Sequence, residues 1–310
     1  MNALRRNLNS YLGMTKRNIL VFFKDKTTLF FSMLAPLIVF FLYIVFLKDT
    51  YLSGLKDSVV GLEEYIKMSD IENIANAWLL SGLLGTTCIT VSLNSLNVMV
   101  SDKNAKIDYD YNSSPVKGYI VVLSYFTGAF LNTFLITASI LTIGLVVLEV
   151  IGGLYLNFQT IIFLYLVTIL GCASSTIVMM VIVSFFKKLS SLQAFSGIVS
   201  AAIGFIIGAY IPLGNFSSVI QGILSLVPGS HVACLYRNLL MTGILEHIDI
   251  SLAGADSHMF IHMAQNTFAL NLNMFSYNTT KSFMMIYTSI SIILALGLNI
   301  VLYKKTIKRY

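Results

Sequence analysis

Few side chains in this sequence could do chemistry, and they fall into three groups. His258 and His262 stand four residues apart, with His247, Asp249 and Asp256 near in sequence. Two histidines at that spacing share a helix face and could ligate a metal, or could lie in a solvated loop. Thr87, Thr90, Asn94 and Asn97 recur at intervals of three and four. On a helix they form one stripe of hydroxyls and amides. At membrane depth such a stripe faces protein or water rather than lipid, so it either bonds neighbouring helices or walls a cavity for an amphipathic substrate. The third group is "DYDYNSSPVK", residues 108–117, set between long apolar runs. Asp108, Asp110 and Lys117 offer charge, Tyr109 and Tyr111 offer amphipathic anchors, and Pro115 restarts the chain. The polar loop that holds them is longer than a simple helix hairpin needs.

Other chemistry is missing from the sequence. None of the 20 glycines precedes a lysine, so there is no Walker-type loop to cradle phosphates. There is no G-x-S-x-G elbow and no H-E-x-x-H pair. Cys88, Cys172 and Cys234 fall in three separate apolar segments, which argues against a disulfide framework or a zinc site. This chain is expected to be no enzyme and to bind no cofactor of its own.

The elements that carry these groups follow from composition. Apolar residues make up 56% of the 310 and charged residues 11%, with a mean hydropathy of +0.81. Soluble domains carry about 25% charged residues, so the solvent of this chain is largely lipid. The apolar runs are continuous rather than alternating, which favours helices over barrel strands. About 20 residues cross a bilayer, and the charge-free runs yield six spans: 27–47, 76–100, 119–148, 159–186, 190–211 and 282–303. The chain reads as one all-α membrane domain.

Residues 7–26, ahead of the first span, form an amphipathic stretch. Leu8, Tyr11, Leu12, Thr15, Ile19, Phe22 and Phe23 gather on one side of a helix, while Lys16, Arg17 and Lys24 lie opposite. A basic amphipathic helix of this kind lies in the plane of the membrane interface. With six spans and both termini cytoplasmic, only Lys48, Lys56, Lys67, Arg237 and Lys281 of the 20 basic residues fall outside. A further apolar piece, Val219–Leu240, would reverse the basic tail if it crossed fully. Residues 212–243 are therefore expected to dip in from the outer side and return. Gly204 and Gly208 in the fifth span make a G-x-x-x-G, a spacing that lets two helices approach closely. The outer segment 48–72 is acidic, with Asp49, Asp57, Glu63, Glu64, Asp70 and Glu72, and reads as a small helical cap. The net charge of +6 is scattered along membrane flanks. It fits lipid headgroups, and nucleic acid is not an expected partner.

This layout resembles the permease subunits of ABC transporters of the type-2 export class. The resemblance rests on three segments: "YLGMTKRNILVFFKDKTTLFFSMLAPLIVFF" as an elbow helix leading into span one; "SDKNAKIDYDYNSSPVKGYIVVLSYFTGAF" as the first inner loop, 101–118, entering span three; and "IPLGNFSSVIQGILSLVPGSHVACLYRNLLMTG", with Pro212, Pro228 and Arg237, as a re-entrant outer hairpin. The resemblance implies that Asp108, Tyr109, Asp110, Tyr111, Pro115 and Lys117 belong to a coupling helix docked on a separate ATPase subunit, which holds ATP and Mg. It implies an elbow carrying Lys16, Arg17, Phe22 and Phe23. It also implies a second permease subunit, identical or paralogous, and alternating-access export of an amphipathic cargo such as a drug, antimicrobial peptide or lipid-linked molecule. With the stripe and the glycine pair, the expected path residues are Thr87, Thr90, Asn94, Asn97, Gly204 and Gly208. A bacterial plasma membrane is the expected setting. An ion-driven secondary carrier and a non-transporting immunity or sensing subunit stay open as alternatives. The spans offer no convincing mid-membrane ionisable group, which weighs against the carrier.

Overall fold

Asp25 and Pro36 set where the first apolar run bends. The Asp25 carboxylate accepts from the backbone N–H groups of Thr27 (3.1 Å) and Thr28 (3.0 Å), ending α1 (Ala3–Lys24) and starting α2 (Lys26–Ser32). The bent pair from residue 5 to residue 42 turns through 81°. Pro36 lies in the first turn of α3 (Leu34–Leu42). It has no N–H for the carbonyl four residues back, that of Ser32, so α2 stops there. The chain continues through a π-helical turn, Tyr43–Leu47, into α4 (Lys48–Asp57). The computed structural model describes residues 3–57, 65–151, 153, 155–253, 258–275 and 277–307. Glu63, Glu64 and Asp256 lie outside the described residues.

The centre of the bundle is α5 (Met68–Ser95), continued after a slight break by α6 (Asn97–Asn104). Helix α7 (Ile107–Ser113) follows, entered through Lys106 in the left-handed region at φ +58. Around α5 stand α8 (Gly118–Ile151), α9 (Phe158–Ser184) and α10 (Leu189–Ile206). Next come α11 (Ser218–Leu224), α12 (Pro228–Leu252), α13 (Met259–Thr267), a short β1–β2 hairpin (Asn273–Met274 with Tyr277–Asn278) and α14 (Lys281–Ile307). Among the described residues, five helices are long and apolar enough to cross a membrane, and seven if each of two bent pairs counts as one span.

Several boundaries differ from the apolar windows. Helix α5 begins at Met68 rather than 76, because its first turns carry Asp70 and Glu72, which a charge-free window leaves out. Helix α10 ends early, where Gly208 turns left-handed at φ +72 and Ala209 N–H returns to Gly204 O at 2.7 Å. Helix α12 runs past 243 to Leu252 and is buried along much of its length.

Small residues let these helices close on one another without a water-driven hydrophobic force. A Cβ on Gly85 would lie 2.8 Å from Ile207 and 3.1 Å from Ala233, and one on Gly171 2.6 Å from Val232. Cys88 and Cys172, distant in sequence, meet in the core with sulfurs 3.7 Å apart, as free thiols. The outward faces of α8 and α14 stay apolar and exposed, with Ile143, Val146, Ile293 and Leu294 among them.

Candidate functional site

Helices α2, α3, α5, α6 and α10 line a partly open cavity of about 360 Å³. Thr27, Thr28 and Phe31 line it from α2 and Leu34 from α3. Asn94 and Asn97 line it from the α5–α6 junction, and Gln193, Ser196, Gly197 and Ser200 from α10. A smaller cavity of about 90 Å³ adjoins it and reaches Phe22, Asp25, Ser95 and Ser101. Asp25 also accepts from the Thr28 hydroxyl at 2.7 Å. That bond, with the backbone N–H groups of Thr28 and Thr27, holds its carboxyl below the usual carboxylate range despite some burial.

The polar stripe divides along its length. Thr87 is fully buried and its hydroxyl donates to Leu83 O at 2.6 Å. Thr90 is fully buried too. Its hydroxyl lies 2.9 Å from Ser32 O, the carbonyl that Pro36 leaves without a helical donor, and 3.0 Å from Thr86 O. Thr90 therefore joins α5 to α2, while the Thr87 bond stays within α5; Asn94 and Asn97 reach the cavity. Gly204 and Gly208 do not line it. Gly204 lies under the ring of Tyr210, and Gly208 forms the left-handed turn between Leu213 and Arg237. Sequence reasoning passed over Gln193, Ser196 and Ser200, although their spacing of three and four was a readable helical stripe.

At one end of the bundle α1 lies across α8. Thr15, Asn18 and Phe22 are buried, Tyr11 donates its hydroxyl to Thr127 Oγ1 at 2.8 Å, and Asn18 Nδ2 donates to Ser124 O at 3.3 Å. A second apolar flank, Leu8, Leu12 and Phe23, stays exposed, as does Lys16. Arg17 reaches the other way. Its Nη1 and Nη2 each meet a different oxygen of Asp102 at 2.6 Å, and Tyr125 donates to the same carboxylate at 2.6 Å. Asp102 is 2% exposed, Arg17 35%. The hydrogen bond to Asp102 raises the Arg17 pKa above its ordinary value. This clasp joins α1, α6 and α8.

Of the expected coupling residues, Tyr109, Asp110, Pro115 and Lys117 are exposed, with Lys117 Nζ 6.0 Å above the Tyr119 ring. Tyr111 is instead half-buried in the core formed by Leu93, Val98 and Val121, and burial raises its pKa. The Asp108 side chain lies outside what the structure describes.

The hairpin residues gather around the end of α10. Pro212 precedes a 3-10 turn, Leu213–Asn215, and Pro228 opens α12, where its missing N–H is harmless. Helices α11 and α12 meet at 103°. Gly229, at the start of α12, abuts Ile89 of α5. Near the far end of α12, His247 Nε2 lies 3.9 Å from Asp70 Oδ2, and Tyr155 stacks on the His247 ring at 4.0 Å. Helix α12 thus runs antiparallel to α5. Arg237 is wholly buried. It donates through Nη2 to Gly208 O at 2.9 Å and to Ile207 O, while its Nε and Nη1 have no partner among the described residues. His258 meets Asp249 at 2.6 Å, so the histidines serve different carboxylates. Among the described residues no three metal-ligating side chains converge.

A family model described as "ABC-2 family transporter protein" matches residues 53–303. No curated protein matches the chain. The chain belongs to the ABC-2 transporter family, a family of multi-pass membrane permeases, which supports a transport role.

Proposed function

We propose that this ABC-2 family chain is the membrane subunit of an ATP-driven exporter, with the α2–α5–α10 cavity as one wall of the path for an amphipathic cargo. The observation that carries this reading lies on α6. Asn97 at one end of that helix faces the cavity, and Asp102, five residues on, is clasped by Arg17. A push on α7 from a partner ATPase passes through α6 to the cavity wall and, through Arg17, to α1 and the bend at Asp25. The exposed apolar flank of α1 rests in the membrane interface as an elbow. The termini and α7 face the cytoplasm, and the α11–α12 hairpin enters from the outer side. A second permease subunit completes the path. Among the described residues the cavity lining holds no ionisable side chain, which gives a proton-driven carrier nothing to titrate there.

Tyr109, exposed on α7, is the anchor for the ATPase, and Tyr111 packs in the chain's own core. Aromatic anchors in desolvated interfaces lose about 2 kcal/mol or more on truncation, roughly thirtyfold in affinity. The test co-expresses the chain with a Walker-bearing ATPase and follows a fluorescent amphiphile in inverted vesicles. Uptake should need ATP and survive an ionophore. Tyr109→Ala should strip the ATPase from the purified complex and leave the permease folded, whereas Tyr111→Ala should lower its melting temperature. Uptake that ignores ATP and collapses with the ionophore would establish a secondary carrier.

A further inference from the structure

We infer that the α2–α5–α10 cavity takes an uncharged, hydrogen-bond-donating head group: a hydroxylated or amide-bearing part of an amphiphile, not an ammonium, a phosphate or a carboxylate. The inference rests on the reading of this cavity as the path wall and narrows it to a cargo class.

The lining polar groups are all hydroxyls and carboxamides. A cation entering there would leave water without meeting a counter-ion, and an anion would meet no Lys or Arg. Either transfer is unfavourable unless the charge is paired. Asp25, in the adjoining cavity, already accepts three hydrogen bonds from Thr27 and Thr28, and those bonds hold the cap of α2.

Two groups on opposite walls are left wanting. Asn97 Oδ1 and Ser196 Oγ are buried and have no hydrogen-bond partner among the described residues. Asn97 Oδ1 can only accept, so what it lacks is a donor. Ser196 is 6% exposed and can give or take. A buried acceptor without a donor is destabilising, and that penalty is relieved when the Asn97 side chain turns its Oδ1 toward a ligand O–H or N–H in the cavity. A site built this way rejects an analogue lacking the donor far more strongly than an apolar pocket rejects a missing methylene. Phe31 and Leu34 give the cavity an apolar side for the start of a hydrocarbon tail. The side chains thus sort one amphiphile into a polar head between α6 and α10 and a tail against α2 and α3.

Gly197 provides the reporter. A Cβ there meets nothing within 4 Å, so Gly197→Cys fits, and the natural Cys88, Cys172 and Cys234 are buried. The full chain carrying Gly197→Cys is placed in nanodiscs and alkylated with a maleimide. Three amphiphiles with the same ten-carbon tail compete at equal membrane-bound concentration: decanoyl-N-methylglucamide, decyltrimethylammonium and decyl phosphate. The glucamide should protect at roughly tenfold lower concentration than either ion, as one or two net hydrogen bonds allow. Ser196→Ala with Asn97→Ala should erase that preference, and Asn97→Asp should bring the trimethylammonium ahead. Equal protection by all three, or preference for an ion, overturns the inference and leaves the cavity a binding site. No protection by any of them, with transport by Gly197→Cys unaltered after alkylation, overturns the path reading and this inference with it.

Discussion

Arg17 is clasped by a carboxylate, with both oxygens of Asp102 at 2.6 Å, whereas Arg237 is wholly buried among carbonyls, with Ile207 O and Gly208 O as its acceptors. The first charge is balanced by another charge and keeps a third of its surface in contact with solvent. The second is balanced by backbone dipoles at the C-terminal end of α10, where the negative end of a helix favours a cation. The difference separates two jobs. A bidentate arginine–carboxylate pair fixes the relative orientation of the helices it joins. An arginine on helix-end carbonyls holds closed the turn that follows α10.

The comparison is broken most sharply at the clasp. In Arg17→Ala, Asp102 stays buried with only Tyr125 donating to it among the described residues. Breaking a buried pair in this way destabilises by about 3 kcal/mol, the low end of the usual range because Arg17 is partly in water. In Asp102→Ala the stranded partner is Arg17, which can turn to solvent, so the loss should be smaller, about 1 kcal/mol. Melting temperatures in nanodiscs should therefore rank wild type, Asp102→Ala, then Arg17→Ala, and the double variant should be more stable than Arg17→Ala alone. Equal losses in the two single variants would mean that the carboxylate is not the costly member.

At Arg237 the magnitudes nearly cancel. Arg237→Met uncovers two carbonyls, at about 1 kcal/mol each. It also removes a buried cation with two nitrogens unpartnered among the described residues, and so relieves a desolvation penalty that opposes that loss. Stability should stay within about 1 kcal/mol of wild type, while ATP-dependent uptake falls because the end of α10 is no longer held. A melting temperature lowered as far as in Arg17→Ala would show that the carbonyl contacts dominate, and the two arginines would then be alike.

Neither arrangement could be read as a pair beforehand. Arg17 was visible on the polar side of an amphipathic helix, but Asp102 lies 85 residues away and pairing at that distance leaves no local signal. Spans were legible because hydrocarbon tolerates so few charges that charge-free runs locate them. Their ends were less so: Asp70 is 3% exposed inside α5, held by Tyr155 at 3.3 Å, where a charge count places it in a loop. Thr87, Thr90, Asn94 and Asn97 share one face by their spacing. Periodicity gives a face and not a depth; α5 is packed along most of its length, and the half of the stripe near α10 lines the cavity. The α10 stripe of Gln193, Ser196 and Ser200 has the same helical spacing, but it sits in an apolar run whose composition announces only a span.

The smallest expected effect tests orphan carbonyls once more, now with a neutral donor. Ser32 O is left without a helical donor by Pro36, and Thr90 Oγ1 reaches it from α5 at 2.9 Å. Thr90→Val keeps the shape and removes the hydroxyl, so α2 should lose about 1 kcal/mol of its attachment to α5. Thr90→Ser, which keeps the donor, should lose less. Thr90 does not line the cavity, so the order in which amphiphiles protect Gly197→Cys should be the same in Thr90→Val. Asn94 lines both cavities and donates to Thr90 O at 2.9 Å, so Asn94→Leu should alter that order. A changed order in Thr90→Val at unchanged melting temperature would move Thr90 from helix attachment to the path. It would also mean that carbonyls at the α2–α3 break, unlike those at the end of α10, need no side-chain donor.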